Sequence, residues 1–166
     1  MAHQSGTFYK DLKRQFLTGE IIPEEFQNKI LELDQSTPDR NNSLKNIELL
    51  CDKEIVSWFT QNSEYLPMYS SLLSLTEFHV AQSKACDEKD DKEAYEHFKK
   101  ALEAGQKIYD ENADWIIYIK ATLAYLENDL VKLRKLTGQA SANSKTLERL
   151  IHGLEKRGAP KYSEDY

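Results

Sequence analysis

Residues 92–105 read Lys-Glu-Ala-Tyr-Glu-His-Phe-Lys-Lys-Ala-Leu-Glu-Ala-Gly, and this stretch decides the fold. Ala94, Phe98 and Ala101 stand four and then three residues apart, so they share one face of a helix. Small residues on that face let a second helix approach closely, and the phenyl ring fills the space between the two helices. The stretch therefore predicts a helix from Lys92 to about Tyr109 that packs against a neighbouring helix.

Helical neighbours are predicted on both sides of this stretch. From Pro67 to about Asp87 the sequence is apolar on nearly every face at first, as expected of a central helix. A charged connector, residues 87–91, joins that helix to the next one. Residues 115–127 begin with a β-branched and aromatic run but continue without a turn signal beyond the length of a typical strand. We interpret residues 115–127 as a buried helix.

The regions farther out divide the chain into three predicted parts. Residues 1–36 are predicted to form an N-terminal helix hairpin, in which Gly19 ends the first helix and Pro23 begins the second. After a polar break at 34–43, residues 43–158 are predicted to form a helical, repeat-like domain. Residues 159–166 are expected to be a flexible acidic tail.

Three helices beyond the centre are also predicted. Ser43 is predicted to cap a helix that runs through Cys51 to Phe59. A brief helix is expected at 130–136, and a last helix is expected from Ser144 to Gly158.

Composition excludes several classes of protein. With 40% hydrophobic and 30% charged residues, and only six Gly and four Pro, the chain is too apolar for disorder and too poor in turn residues for a loop-rich β protein. The net charge is -6, and the chain lacks the excess of basic residues that binds phosphate backbones, so we expect no nucleic-acid partner. No segment approaches the roughly 18 apolar residues of a membrane span. We also find no secretory signal, and therefore expect a soluble, cytoplasmic protein.

Residues 78–106 resemble a repeat of the tetratricopeptide family. The second helix of that repeat carries Ala, an aromatic residue four positions on, and Ala three positions further. Ala94, Phe98 and Ala101 match this pattern, and Phe78 takes the place of the family's first aromatic residue. The resemblance implies an all-α fold of antiparallel helical hairpins packed as a short tetratricopeptide-like array.

Two positions depart from the family pattern. The family's Leu-Gly pair is Ala81-Gln82 in this chain, and Gln106 stands where the family has Pro. One repeat covers under a third of the sequence. An irregular helical bundle that carries the N-terminal hairpin is the alternative fold.

Motifs for catalysis or metal binding are not found in the sequence. The four histidines (His3, His79, His97 and His152) form no HxxxH or HExxH pair, and no glycine-rich phosphate loop is present. Neither cysteine has a neighbouring pattern that would activate a thiolate. We therefore predict no catalytic residue, no metal, no cofactor and no enzymatic activity.

One aromatic stripe is the candidate recognition surface. Trp115, Tyr118, Thr122 and Tyr125 follow one face of the predicted helix, which we call the tyrosine stripe. This stripe is either buried in the core or lines an open groove for a protein or peptide. If it is open, the predicted partner-binding residues are His79, Tyr118, Thr122 and Tyr125.

Three functions remain open from the sequence. The first is a protein-interaction or adaptor module. The second is a helical bundle that binds a small ligand, or acts as an enzyme, through a buried pocket at His79. The third is self-assembly through the tyrosine stripe, which would give a homodimer.

Overall fold

A computed structural model describes residues 3–35 and 41–166. Within these ranges the chain is an all-α bundle of ten α-helices without a strand, which confirms the predicted fold class. A 3-10 turn at Ser63–Tyr65 precedes the fifth helix, and a π-helical turn at Lys84–Glu88 follows it. In chain order the helices are α1 (His3–Leu17), α2 (Pro23–Gln35), α3 (Asn41–Leu50), α4 (Lys53–Gln61), α5 (Leu66–Ser83), α6 (Asp91–Gly105), α7 (Asp114–Leu126), α8 (Leu130–Thr137), α9 (Ser144–Arg157) and α10 (Tyr162–Asp165).

Helix α1 ends and helix α2 begins as the sequence predicted. Gly19 adopts a left-handed backbone with φ +74, and Pro23 is the first residue of α2. Ser43, by contrast, lies inside α3 and is not its cap, because α3 already begins at Asn41. Its hydroxyl donates to Asp34 Oδ1 at 2.7 Å and thereby joins α3 to α2. Residues 36–40 of the predicted polar break lie outside the described residues.

The helix predicted from Ser43 to Phe59 is in fact two helices, α3 and α4. The break falls at Asp52, whose backbone is extended. Its side chain accepts hydrogen bonds from the backbone N–H groups of Glu54 and Ile55, which caps α4. A capping aspartate in the middle of an apolar pattern therefore outweighs the continuous helical periodicity.

The N-terminal hairpin is not a separate unit. Phe16 of α1 stacks on Phe26 of α2 with 4.2 Å between ring centroids, and it also contacts Phe59 of α4 at 5.5 Å. Tyr69 of α5 then stacks on Phe59 at 4.7 Å. The first five helices thus share one apolar cluster, contrary to the predicted boundary near residue 36. Its buried members are Leu12, Phe16, Ile21, Phe26, Ile30, Leu49, Leu50, Ile55, Phe59 and Leu72.

Helix α5 is central, as predicted, because its second half enters another apolar cluster built with α6–α10. Ser74 Oγ donates to the Ala101 carbonyl at 2.7 Å, and the Phe78 and Phe98 rings lie 4.9 Å apart. Contacts advance along α5 as they retreat along α6, so these two helices are antiparallel. Ala94, Phe98 and Ala101 are fully buried, as their spacing indicated. The tetratricopeptide-like array itself stays a prediction.

Helix α7 confirms the helical interpretation of residues 115–127. Residues 116–119 and 121–125 are all buried. Among the described residues, no helix is long and apolar enough to cross a membrane.

Candidate functional site

The tyrosine stripe on α7 belongs to the core. Tyr118 is 4% exposed, and Thr122 and Tyr125 are fully buried. The Thr122 hydroxyl donates to the Tyr118 carbonyl at 3.0 Å, a bond within the helix. The interpretation of this stripe as an open groove is therefore wrong for the observed structure, and the buried alternative is the one observed.

His79 is not brought into the same surface. It lies partly exposed on α5, and its Nδ1 pairs with Asp34 of α2. The adjacent Phe78 instead contacts Tyr118 of α7, with ring centroids 5.2 Å apart. Neighbouring residues on α5 thus face different helices, and the four predicted binding residues do not form one site.

The cover of the tyrosine stripe is the chain's own residues 161–166, which we call the C-terminal segment. Tyr125 Oη accepts a hydrogen bond from the Lys161 backbone N–H at 2.5 Å and donates to Asp165 Oδ2 at 2.5 Å. One phenol on α7 therefore holds both ends of α10. Residues 161–166 belong to the predicted acidic tail 159–166, and in the structure Tyr162 and Asp165 of this segment are buried.

Tyr162 is the apolar anchor of the C-terminal segment. Its ring is fully buried, with centroids 5.6 Å from Phe98 and 6.1 Å from Tyr125. Tyr166 stacks on its outer face at 4.9 Å and 16°. Gln82 Nε2 donates to the Tyr162 hydroxyl at 3.4 Å, so the buried phenol keeps a polar partner.

Asp165 is the polar anchor. It is 8% exposed, accepts from the Tyr125 hydroxyl and forms an ion pair with Arg157 of α9. Beneath it lies Gly153 of α9, where a Cβ would overlap the Asp165 carboxyl group. The absence of a side chain at Gly153 is therefore what lets the carboxylate reach both partners.

The groove around the C-terminal segment disfavours ionised phenols. Burial raises the pKa of Tyr125, and its hydrogen bond to Asp165 raises it further. Burial likewise raises the pKa of Tyr162 well above its ordinary value. Burial also raises the pKa of Asp91, an effect that the Tyr162 backbone N–H, donating to that carboxylate, partly offsets. The groove therefore holds neutral aromatic rings together with one paired carboxylate.

Two of the open grooves on the described part of the surface lie apart from His79. One, of about 480 Å³, runs between α9 and α10. The other, of about 420 Å³, lies between α1 and α3. The first is lined by Lys145, Glu148, Arg149, His152, Gly153, Lys156, Arg157, Glu164 and Asp165, and the second by Tyr9, Lys10, Lys13, Lys45, Glu48, Leu49 and Asp52.

Metal-ligating side chains are scattered over the described ranges. No cluster of three or more metal-ligating side chains occurs there. Two histidines are held by carboxylates: His79 by Asp34, and His97 by Glu77 at 2.5 Å. Each pair joins two helices, α2 with α5 and α5 with α6, so a structural role accounts for both.

Apart from Tyr125 and Phe98, the residues that hold the C-terminal segment escaped the sequence prediction. Two signals pointed to them. Gly153 stands inside a strongly amphipathic helix, where glycine costs about 1 kcal/mol relative to alanine and marks a close approach. Tyr162 and Tyr166 stand four residues apart in a segment otherwise interpreted as an acidic tail.

Comparison with known protein families, with characterised proteins and with solved structures finds no match to this chain.

Proposed function

We propose that this protein is an interaction module that binds a short aromatic and acidic segment of a partner protein. The binding site is the groove that the C-terminal segment fills, and the expected ligand has the spacing Tyr-x-x-Asp-Tyr of residues 162–166. The C-terminal segment acts as a ligand in cis that the partner displaces.

The observation that carries the proposal is the way Asp165 is held. Its carboxylate accepts a hydrogen bond from the Tyr125 phenol of α7, forms an ion pair with the Arg157 guanidinium of α9, and lies against the backbone of Gly153. Hydrogen bonds to an ionised group are about twice as strong as neutral ones, so this arrangement selects a carboxylate at one position. Tyr162, three residues earlier, selects an aromatic ring by burial beside Phe98.

The attachment of the segment favours exchange. Helix α10 has four residues, which is too short to be stable without the groove. It is joined to α9 through residues 158–160, where Gly158 has φ +68 and Pro160 follows. A tethered ligand of this kind occupies the groove at an effective concentration of the order of millimolar. A partner that makes additional contacts can overcome this competition.

The test uses the double variant Tyr162→Ala/Asp165→Ala of residues 1–166, which keeps the backbone of the C-terminal segment but removes both anchors. A labelled peptide with the sequence of residues 159–166 is titrated into it and followed by fluorescence anisotropy. We expect the peptide to bind the double variant at least about tenfold more tightly than it binds wild-type protein, whose groove is filled. A peptide with the same two alanines is the matched control.

A third variant separates the groove from the rest of the surface. Adding Gly153→Ala to the double variant places a methyl group where the peptide carboxylate must lie, so binding should be lost. If the double variant is folded by circular dichroism and does not bind the peptide, the proposal is wrong.

Self-assembly and ligand binding gain less support. Among the described residues, every buried side-chain nitrogen or oxygen has a hydrogen-bond partner, so no polar group there awaits a small ligand. Exchange of the C-terminal segment between two copies remains an outcome of the same test. In that case wild-type protein is a dimer by light scattering, and Gly153→Ala makes it a monomer.

A further inference from the structure

The outer face of α9 carries a row of basic side chains. Lys145, Arg149, His152 and Lys156 stand four, three and four residues apart, so they follow one line along the helix. All four are exposed, and all four line the groove of about 480 Å³ between α9 and α10. We call these four residues the basic row.

The lysines and the arginine of the basic row are without ion pairs in the described part of the chain. This distinguishes them from many other cations, since Lys13, Lys84, Lys120 and Arg157 each meet a carboxylate. The chain has 28 acidic residues against 22 Lys and Arg, so carboxylates are abundant. Other exposed lysines, such as Lys53, Lys92 and Lys100, also stand outside the ion pairs of the described residues, so the feature particular to this face is that three such cations follow one line along a helix.

Helix stability does not explain the row. Lys145 lies in the first turn of α9, where a cation opposes the positive end of the helix dipole. Lys145 and Arg149 are like charges four residues apart, an arrangement that destabilises a helix. Only Lys156, in the last turn, is placed favourably for the dipole.

The same groove already holds carboxylates at one wall. Arg157 pairs with Asp165 and with Glu164, the latter at 3.4 Å. Those two carboxylates are satisfied by Arg157 and by Lys161, which also pairs with Glu164. Glu148 is the remaining acid of the lining, so the groove keeps a net positive face towards solvent.

We propose that the basic row, which stands beside the anchors Gly153, Arg157 and Asp165 of the C-terminal segment and includes none of them, binds an acidic segment of a partner protein. The eleven helical steps from Lys145 to Lys156 rise about 16 Å, which matches roughly five residues of extended peptide. The net charge of -6 repels acidic ligands at long range, so the basic row attracts them only over short distances. The basic row therefore favours a short cluster of acidic side chains over a long polyanion.

The test compares two triple variants of equal charge. Lys145→Gln/Arg149→Gln/Lys156→Gln removes the cations of the row, and Lys92→Gln/Lys100→Gln/Lys107→Gln removes three exposed cations of α6 and the turn after it. The probe is a labelled octaglutamate peptide, measured by fluorescence anisotropy at low and at physiological salt. We expect wild-type protein to bind it, the first variant to bind about tenfold or more weakly, and the second to change by less than about threefold.

The alternatives are distinguished by the same series. Equal losses in the two variants, or no binding by wild-type protein, contradict the proposal. Tighter binding of an oligodeoxynucleotide of the same charge also contradicts it, since the ligand would then be a nucleic acid. Octaglutamate lacks the aromatic ring that the groove of the C-terminal segment selects, so the outcome does not depend on peptide exchange in the groove beside it.

Discussion

The Asp165 carboxylate lies over Gly153 of α9 at the place where any other residue would carry its Cβ. A long helix and a four-residue helix meet there without an intervening side chain. The close approach lets Asp165 reach Arg157 and the Tyr125 hydroxyl together. The position of the C-terminal segment therefore depends on one glycine.

Gly153→Ala should release the C-terminal segment. Asp165 must swing away from the added methyl group and lose both partners, which also exposes Tyr162. Burial of such a ring stabilises by about 1.5–3 kcal/mol, whereas alanine in the helix returns about 1 kcal/mol, so we expect a net loss of about 0.5–2 kcal/mol. Tryptic cleavage after Lys161 should become about tenfold faster.

Gly138→Ala is the matched control, because a Cβ at Gly138 meets only ordinary contacts of 3.6 Å. Equal cleavage rates in the two variants would show that Asp165 is not held by the shape of α9.

Tyr125→Phe should loosen the segment without opening the core. The ring still packs on Tyr162, but Asp165 loses a donor and the Lys161 N–H loses its acceptor. We expect a loss of about 1–3 kcal/mol in the free energy of unfolding, measured by urea denaturation. Tyr95→Phe removes an exposed bond to Glu127 and should cost less than about 0.5 kcal/mol. A Tyr125 variant as stable as the Tyr95 variant would contradict the role of this phenol.

Alkaline titration should reveal the buried phenols. Burial raises the pKa of both Tyr9 and Tyr69 from 10.0 to about 12, and it raises that of Tyr118, Tyr125 and Tyr162 as well. A raised folded-state pKa contributes stability that is complete below the unfolded value and is lost as pH rises through the folded one. We therefore expect unfolding to accompany the late part of the phenolate absorbance titration. Complete ionisation near pH 10 with the helix content intact would contradict the burial.

Phe98 should be the most costly position of the second apolar cluster. Phe98→Ala removes a fully buried ring that contacts both Phe78 and Tyr162. Such truncations cost about 3–5 kcal/mol, and thermal denaturation measures the loss. Phe8→Ala, at a ring that is 40% exposed, should cost less than about 1 kcal/mol. Similar costs at both positions would mean that Phe98 does not fill the space between α5, α6 and α10.

Asp52 should contribute as the cap of α4 and as a carboxylate. Asp52→Ala is expected to cost about 1 kcal/mol, while Asp52→Asn keeps the cap and costs less. Its hydrogen bond from Lys13 lowers the pKa of Asp52, so the charge-dependent part of its stability is present above the unfolded value and is lost as pH falls. The difference between wild type and Asp52→Asn should therefore close in acid. A difference that is constant with pH would contradict the ion pair.

The sequence predicted the helices better than their partners. The spacing of Ala94, Phe98 and Ala101 predicted a buried helix face correctly, because helical periodicity is a local property of the sequence. The break at Asp52 was missed because a capping side chain competes with an uninterrupted apolar pattern and wins only when both backbone N–H donors are in reach.

The sequence predicted one side of the candidate site, the tyrosine stripe, but not the segment that covers it. The tyrosine stripe was singled out from spacing on α7, but its cover lies about 40 residues farther along the chain, and spacing within one helix says nothing about such distant contacts. Gly153 was the one residue whose local cost in a helix pointed to the contact. His79 was grouped with the stripe because it shares an apolar helix with Phe78, yet one step along a helix turns a side chain by about 100° and towards another partner.

Hydrogen exchange of the backbone amides of residues 162–166, measured in wild-type protein before and after adding the peptide of residues 159–166, tests the central claim most directly. If the C-terminal segment is an exchangeable ligand, these amides are protected at first and lose protection at saturating peptide, while the amides of α5 and α7 are unchanged. If the segment is a fixed part of the core, its amides keep the same protection at every peptide concentration, and the proposed function is contradicted.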